Sequence, residues 1–183
     1  KLKNIKIIQE VESYYHDFNL TSNHNYDLEG YFQSWKYFDH CKDLVKYYFT
    51  PNFKKRAYAG DVAIHVRRGD YLNLGHRHPV LSMDYYEEAM EIFPDSKFVV
   101  FSDDIKWCEK NFPKRNCTFI YPKVDVEDLF HMSQYKNQII ANSSFSWWAA
   151  WLNNYKNKIV VSPKNYVVGE TRDDRIPPEW KKI

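Results

Sequence analysis

The chain has 183 residues, enough for one domain with a sizeable core. Its 26 Lys and Arg against 24 Asp and Glu leave a formal charge of +2, too balanced for nucleic-acid binding by bulk phosphate neutralisation. Aromatic residues make up 18% of the chain, and such rings serve core packing before they serve sugar stacking.

Residues 4–18 read as a helix, with Ile5, Ile8, Val11, Tyr15 and Phe18 on one stripe. Residues 19–30 read as loop and turn. A second helix runs from Trp35 to Phe49 and is stopped by Pro51. From Asp61 strands and helices alternate. Strand Val62–Val66 leads through a loop, with Gly75, His76, His78 and Pro79, to a helix from Met83 to Phe93 that Ser82 caps. The loop histidines lie beside the turn after this strand and read as a border to a ligand or as plain solvated residues, the latter preferred. Strand Lys97–Phe101 leads through Asp103 and Asp104 to a short helix ending at Phe112. Strand Cys117–Tyr121, helix Val126–Tyr135, strand Gln138–Ala141, helix Phe145–Tyr155 and strand Lys158–Val161 follow, then a loop-like tail. Five strands alternating with helices predict an α/β fold, a mostly parallel Rossmann-like sheet with helices on both faces.

Two stretches carry chemistry. The first is Asp61-Val-Ala-Ile-His-Val-Arg-Arg-Gly-Asp-Tyr71, an apolar strand that releases Arg67, Arg68 and Gly69 at its carboxyl end. Ligands of open α/β sheets bind there, and two guanidinium forks suit a phosphorylated anion. Without a ligand, the same arginines would form surface ion pairs with Asp70 or Asp103. His65 shares a strand face with Arg67, as a core histidine or a ligand contact. The second stretch is Ile139-Ile-Ala-Asn-Ser-Ser-Phe-Ser-Trp-Trp-Ala-Ala-Trp-Leu152. A strand ending in Asn-Ser-Ser and opening a helix offers free amides and hydroxyls to an anion, while its tryptophans read as core.

Other signals are weaker. The odd number of cysteines, Cys41, Cys108 and Cys117, argues against a disulfide framework and for a reducing compartment, with a Cys108–Cys117 bridge left open. Asp103-Asp104 reads as a helix cap rather than a metal pair. Of three glycosylation triplets, that at Asn142 is expected in a working site rather than under a glycan. Arg68-Gly69-Asp70 spells an adhesion tripeptide, but it starts at a buried strand end. No apolar run nears the roughly 18 residues of a membrane span, and the chain, which begins at Lys1, reads as part of a longer protein.

His65-x-Arg67-Arg68-Gly69-Asp70-Tyr71 resembles the first motif of the α-1,2-fucosyltransferases, glycosyltransferase family 11. Gly30-Tyr-Phe-Gln-Ser-Trp-Lys-Tyr-Phe38, Asp128-Leu-Phe-His-Met-Ser133 and the Ile139-to-Leu152 run are similar to further segments of that family. The resemblance implies inverting transfer of L-fucose from GDP-fucose to the 2-hydroxyl of a galactose-containing glycan, without a metal or other cofactor and without nucleic acid. It implies that Arg67 holds the β-phosphate and that His65, Arg68, Asp103, Asp128, Ser143, Ser144, Phe145 and Ser146 contact the donor. Asp70 is a candidate general base, with Arg68 as the neighbour that would keep it ionised. It also implies a helical remnant of an N-terminal half over residues 1–58, a GDP-fucose-binding domain over 59–168, the C-terminal half of a two-Rossmann-domain fold, and a tail over 169–183. The family's Gly-x-x-Gly-Asn-Gln opening segment has no counterpart in this sequence. A bacterial setting implies the cytoplasm, peripheral to the membrane; a eukaryotic one implies the Golgi lumen. A module that binds sugar nucleotides without turnover is the alternative reading.

Overall fold

The computed structural model describes residues 4–10, 14–50, 60–169 and 174–183. Its first elements are strands. β1 (Ile5–Gln9) and β2 (Asn25–Glu29) pair in parallel, Ile5 opposite Asn25 and Gln9 opposite Glu29. The helix expected over residues 4–18 is therefore replaced by a strand at Ile5–Gln9, its Val11 lying outside the described residues, and the segment expected to be a loop over 19–30 contains a strand. The cause is local. Ile5, Ile7 and Ile8 are β-branched and favour extended backbone, and over five residues their spacing fits either period. The part expected to be a helical remnant thus carries a two-stranded sheet; its residues 51–58 lie outside the described residues, as does Pro51.

The second expected helix is present but tightened at its start. Trp35–Tyr37 and Asp39–Cys41 are turns of 3-10 helix, and α1 spans Lys42–Phe49. Ser34 caps the first turn, accepting from the Lys36 amide at 3.4 Å while donating to the Asp174 carbonyl at 3.1 Å. That second bond ties the N-terminal part to the end of the chain.

The alternating elements follow in the expected order: β3 (Val62–Val66), α2 (Met83–Glu91), β4 (Phe98–Ser102), α3 (Ile105–Asn111), β5 (Cys117–Ile120), α4 (Asp125–Ser133), β6 (Asn137–Ile139), α5 (Ser144–Leu152), β7 (Val160–Ser162) and β8 (Lys181–Lys182). Two details differ. Ser82 precedes α2 without a side-chain cap bond to it, and the tail contributes β8, which pairs with β7. Among the described residues, six strands form one parallel sheet in the order β5-β4-β3-β6-β7-β8. The chain winds outward from β3 through β4 to β5. It then crosses back to β6 and winds the other way, the order of a Rossmann-like doubly wound sheet.

Both faces are covered, which is why β3 and β4 are buried along their whole length. Val62, Ile64, Val66, Phe98 and Val100 pack against Tyr86, Ala89 and Phe93 of the α2 region and Cys108 and Phe112 of the α3 region. Ala63, Val99 and Phe101 face Met132, Tyr135 and Ala149, on the α4 and α5 side. A third cluster joins Trp147, Trp151, Tyr166, Ile176 and Trp180, with Trp35 and Phe38 packed on it. Cys108 and Cys117 are free thiols, and burial pushes both up to about 11.

Trp151 is the hinge pin of that third cluster. Its ring stacks on Trp147 at 5.2 Å, meets the edge of Phe38 at 5.3 Å and carries Lys42 at 4.4 Å. Trp151→Ala is expected to lower the unfolding free energy by about 3–5 kcal/mol in denaturant melts. A loss under about 1 kcal/mol would mean the cluster does not hold the N-terminal part to the sheet.

Candidate functional site

In a doubly wound sheet the crevice lies where the winding reverses, at the carboxyl ends of the two central strands. Here those strands are β3 and β6. The turn after β3 carries Arg67, Asp70 and Tyr71; the turn after β6 carries Asn142, Ser143 and Ser144 and opens α5. A cavity of about 740 Å³ lies there, and all six residues line it together with Phe145.

Arg67 is set in place by two carboxylates. Nη2 lies 2.7 Å from Asp70 Oδ1, and Nη1 lies 3.1 Å from Asp103 Oδ2. The Tyr71 ring lies 5.4 Å from the guanidinium carbon. The side chain keeps 34% exposure, so the fork is oriented yet reachable. Asp103 also accepts the Arg68 amide at 2.9 Å. It can do so because residue 69 is glycine: a Cβ there would come within 2.6 Å of Asp103 Oδ2. The ion pairs expected in the absence of a ligand are thus present, and they aim the arginine.

Arg68 goes the other way, as adjacent residues leaving a strand do. Its Nε bonds Asp104 Oδ2 at 3.3 Å and its guanidinium stacks 4.0 Å over Trp107, leaving 15% exposure. It is not among the residues lining the cavity, so the two guanidiniums do not share one anion site. Asp104 caps α3 as expected, Oδ1 accepting the Trp107 amide at 3.1 Å. The adhesion tripeptide is tied down through both its charged residues.

α5 starts without a side-chain cap. Ser143 has extended backbone and makes no cap bond, and its carbonyl already accepts the Trp147 amide. The amides of Ser144, Phe145 and Ser146 form the first turn, where no intrahelical acceptor exists. Ser144 is exposed and Ser143 is buried at the cavity wall. Ser146 Oγ lies 3.3 Å from the carbonyls of Ala141 and Ser143, inside the turn, so its amide rather than its hydroxyl belongs to the helix start. Asn142 is buried, its Nδ2 donating to the carbonyls of Pro79 and Tyr166 while its own carbonyl accepts Tyr71 Oη. Such a side chain has no room for a glycan.

His65 lies beneath the site. Its ring packs 5.1 Å from that of Phe145. Burial, and secondarily the Arg67 charge, lowers its pKa to about 3, so the imidazole is neutral. Asp128 is buried on α4, one oxygen accepting the Lys123 amide at 3.2 Å and the other without a hydrogen-bond partner; neither His65 nor Asp128 lines the cavity.

Several lining residues lie outside the two stretches that carry the chemistry. Glu10, Tyr31 and Phe32 come from the end of β1 and the turn after β2, and Arg175 is a buried cation from the tail, 5.3 Å over Tyr166. His78, read as solvated loop, stacks on Tyr71 at 4.8 Å and lines the cavity. The tail arginine could have been found only as a charge among Ile176 and Trp180, both core residues. Among the described residues, no three His, Cys, Asp or Glu gather as a metal site would need, and no helix is long and apolar enough to cross a membrane.

The fold and site define a Rossmann-like domain with a crevice walled by one aimed arginine and an uncapped helix start. The chain belongs to glycosyl transferase family 11, whose model matches residues 5–183. It is 36% identical to the O-antigen biosynthesis glycosyltransferase WbnK of Escherichia coli, over 88% of this chain and 62% of that protein. It is 32% identical to an alpha-1,2-colitosyltransferase of Escherichia coli, over 95% of this chain and 68% of that one. It is 29% identical to galactoside alpha-(1,2)-fucosyltransferase 1 of Bos taurus, over 68% and 43%. The chain therefore spans only part of the length of the curated relatives it matches.

His65 gives the site a pH signature. Its folded value is about 3 against 6.5 for the free side chain. Between those values the unfolded chain binds the extra proton, so the stability from neutral His65 is complete above about pH 6.5 and is lost as the pH falls toward 3. At about pH 5 the loss reaches about 2 kcal/mol. His65→Phe is expected to flatten the fall in unfolding free energy between pH 7.5 and pH 5 by that amount. Identical slopes for the two proteins would show that the imidazole is not buried neutral.

Proposed function

We propose that the domain transfers L-fucose from GDP-fucose to the 2-hydroxyl of a galactoside, with inversion at the anomeric carbon and without a metal. One observation carries the reading: Arg67 and the start of α5 line one cavity at the reversal of the sheet. A nucleoside diphosphate needs both a bidentate cation and a row of amides. Family membership and the activities for which the relatives are named, galactoside fucosyl and colitosyl transfer, support the sugar chemistry. Two of the relatives are bacterial, and for a bacterial chain the setting proposed is the cytoplasm, peripheral to the membrane.

In this reading the diphosphate lies between Arg67 and the amides of Ser144, Phe145 and Ser146, with the Ser143 and Ser144 side chains beside it. As the bond from the anomeric carbon to the β-phosphate oxygen breaks, negative charge grows on the departing GDP. A guanidinium already fixed by Asp70 and Asp103 meets that charge without reorganising, so it stabilises the transition state more than the ground state. Asp103 acts here through Arg67, and Arg68 acts by fixing the turn through Asp104 and Trp107. His65 seats the Phe145 ring at the helix start. Asp128 is buried on α4 outside the cavity, which argues against the direct contact with the guanine edge or ribose that the resemblance implies. Asp70 is the guanidinium's partner, which leaves it badly placed to take a proton.

The test is calorimetric titration of GDP into the chain and into Arg67→Ala, with EDTA present. Saturable binding that Arg67→Ala weakens about 30-fold, about 2 kcal/mol, is expected. Equal affinity for the two proteins would remove Arg67 from the donor site. Binding seen only after magnesium is added would overturn the metal-free reading.

A further inference from the structure

We propose that Glu10 is the carboxylate that binds the acceptor's hydroxyl and takes its proton, an assignment that rests on the transfer reading above. Among the described residues, two carboxylates line the cavity, Glu10 and Asp70. Asp70 is committed to the Arg67 guanidinium at 2.7 Å. Glu10 stands differently. It directly follows β1, and its amide donates to the Glu29 carbonyl of β2 at 2.8 Å, which pins its backbone at the end of the small sheet. Its Oε2 accepts the amides of both Tyr31 and Phe32 at 2.8 Å. Its Oε1 is buried and has no hydrogen-bond partner. A carboxylate oxygen withdrawn from water and left without a donor is costly, so a ligand O–H is strongly favoured there.

The turn that Glu10 holds points to the same ligand. Phe32 has φ of 46°, in the left-handed region that a bulky residue adopts only when its surroundings force it. Two backbone hydrogen bonds to one carboxylate oxygen supply that force. The neighbouring Tyr31 is 81% exposed at the cavity wall. A free aromatic face beside an unpartnered carboxylate suits a pyranose, which presents C–H groups on one face and hydroxyls at its edge. Glu10, Tyr31 and Phe32 line the cavity that Arg67 and Ser144 also line, so acceptor and donor would meet within it.

The step balances as follows. A lone pair of the acceptor hydroxyl oxygen forms the bond to the donor's anomeric carbon. The bond from that carbon to the β-phosphate oxygen breaks, its electron pair leaving with GDP. The hydroxyl proton passes to the Glu10 carboxylate and later to water.

Glu10→Gln keeps an oxygen for the Tyr31 and Phe32 amides but cannot take a proton. With GDP-fucose and methyl β-galactoside, the variant is expected to lose about 100-fold or more in kcat while its GDP affinity stays within about twofold of the wild type. A galactoside fluorinated at C3, whose neighbouring 2-hydroxyl is more acidic, is expected to recover part of that loss in the variant and to change the wild type little. A purely structural role for Glu10 would not make the rate depend on acceptor acidity. A kcat within about threefold of wild type, or a loss that the fluorinated acceptor does not relieve, would overturn the assignment and leave the donor site standing. A wild-type chain that binds GDP but transfers nothing would overturn the transfer reading, and this one with it.

Discussion

The structure depends on one pairing, that of β3 with β6. Val62, Ala63 and Ile64 lie opposite Asn137, Gln138 and Ile139, although more than seventy residues of chain separate them. Everything between, from α2 to α4, winds out to one side and returns. The pairing sets the carboxyl end of an apolar strand beside the opening of a helix, and so puts an arginine next to a row of unbonded amides. Neither feature alone would select a diphosphate. A single guanidinium finds a carboxylate, and most helix starts find a capping side chain. Here the helix start has no cap, and the arginine's carboxylates hold it without enclosing it.

The two adjacent arginines divide the work. Each is matched to one of two adjacent aspartates on the neighbouring strand's end, Arg67 to Asp103 and Arg68 to Asp104. Because consecutive side chains leave a strand on opposite sides, one pair faces the crevice and the other packs against α3 and Trp107. The second pair fixes the turn that the first pair works from. Gly69 is what lets the turn close over Asp103. The four charged residues form one device, and a reading that assigned both arginines to the ligand would miss half of it.

Much of the α/β part was legible in the sequence because its signals are physical and local. Val62–Val66 and the run at Phe98 are apolar without alternation, as strands covered on both faces must be. Prolines and capping residues marked most of the turns. The N-terminal part was misread because Ile5, Ile7 and Ile8 fit a strand as well as a helix, and because Asn25 and Asp27 are weak strand formers that pair with β1. Glu10 and Arg175 were invisible for another reason. Each reaches the cavity from a segment remote in sequence, through contacts that no spacing rule encodes. His78 was weighed as a border to the ligand and as solvated loop, and the second was preferred because no local signal shows that Tyr71 holds it against the cavity.

In the proposed function, GDP's diphosphate sits on the first turn of α5 at the β3–β6 junction. Backbone amide resonances followed during a GDP titration test it most directly. The amides of Ser144, Phe145 and Ser146 are expected to shift with GDP in a saturable way and to stay unmoved with guanosine, which lacks the phosphates. Saturable binding that leaves those three amides in place and moves another part of the chain would contradict it.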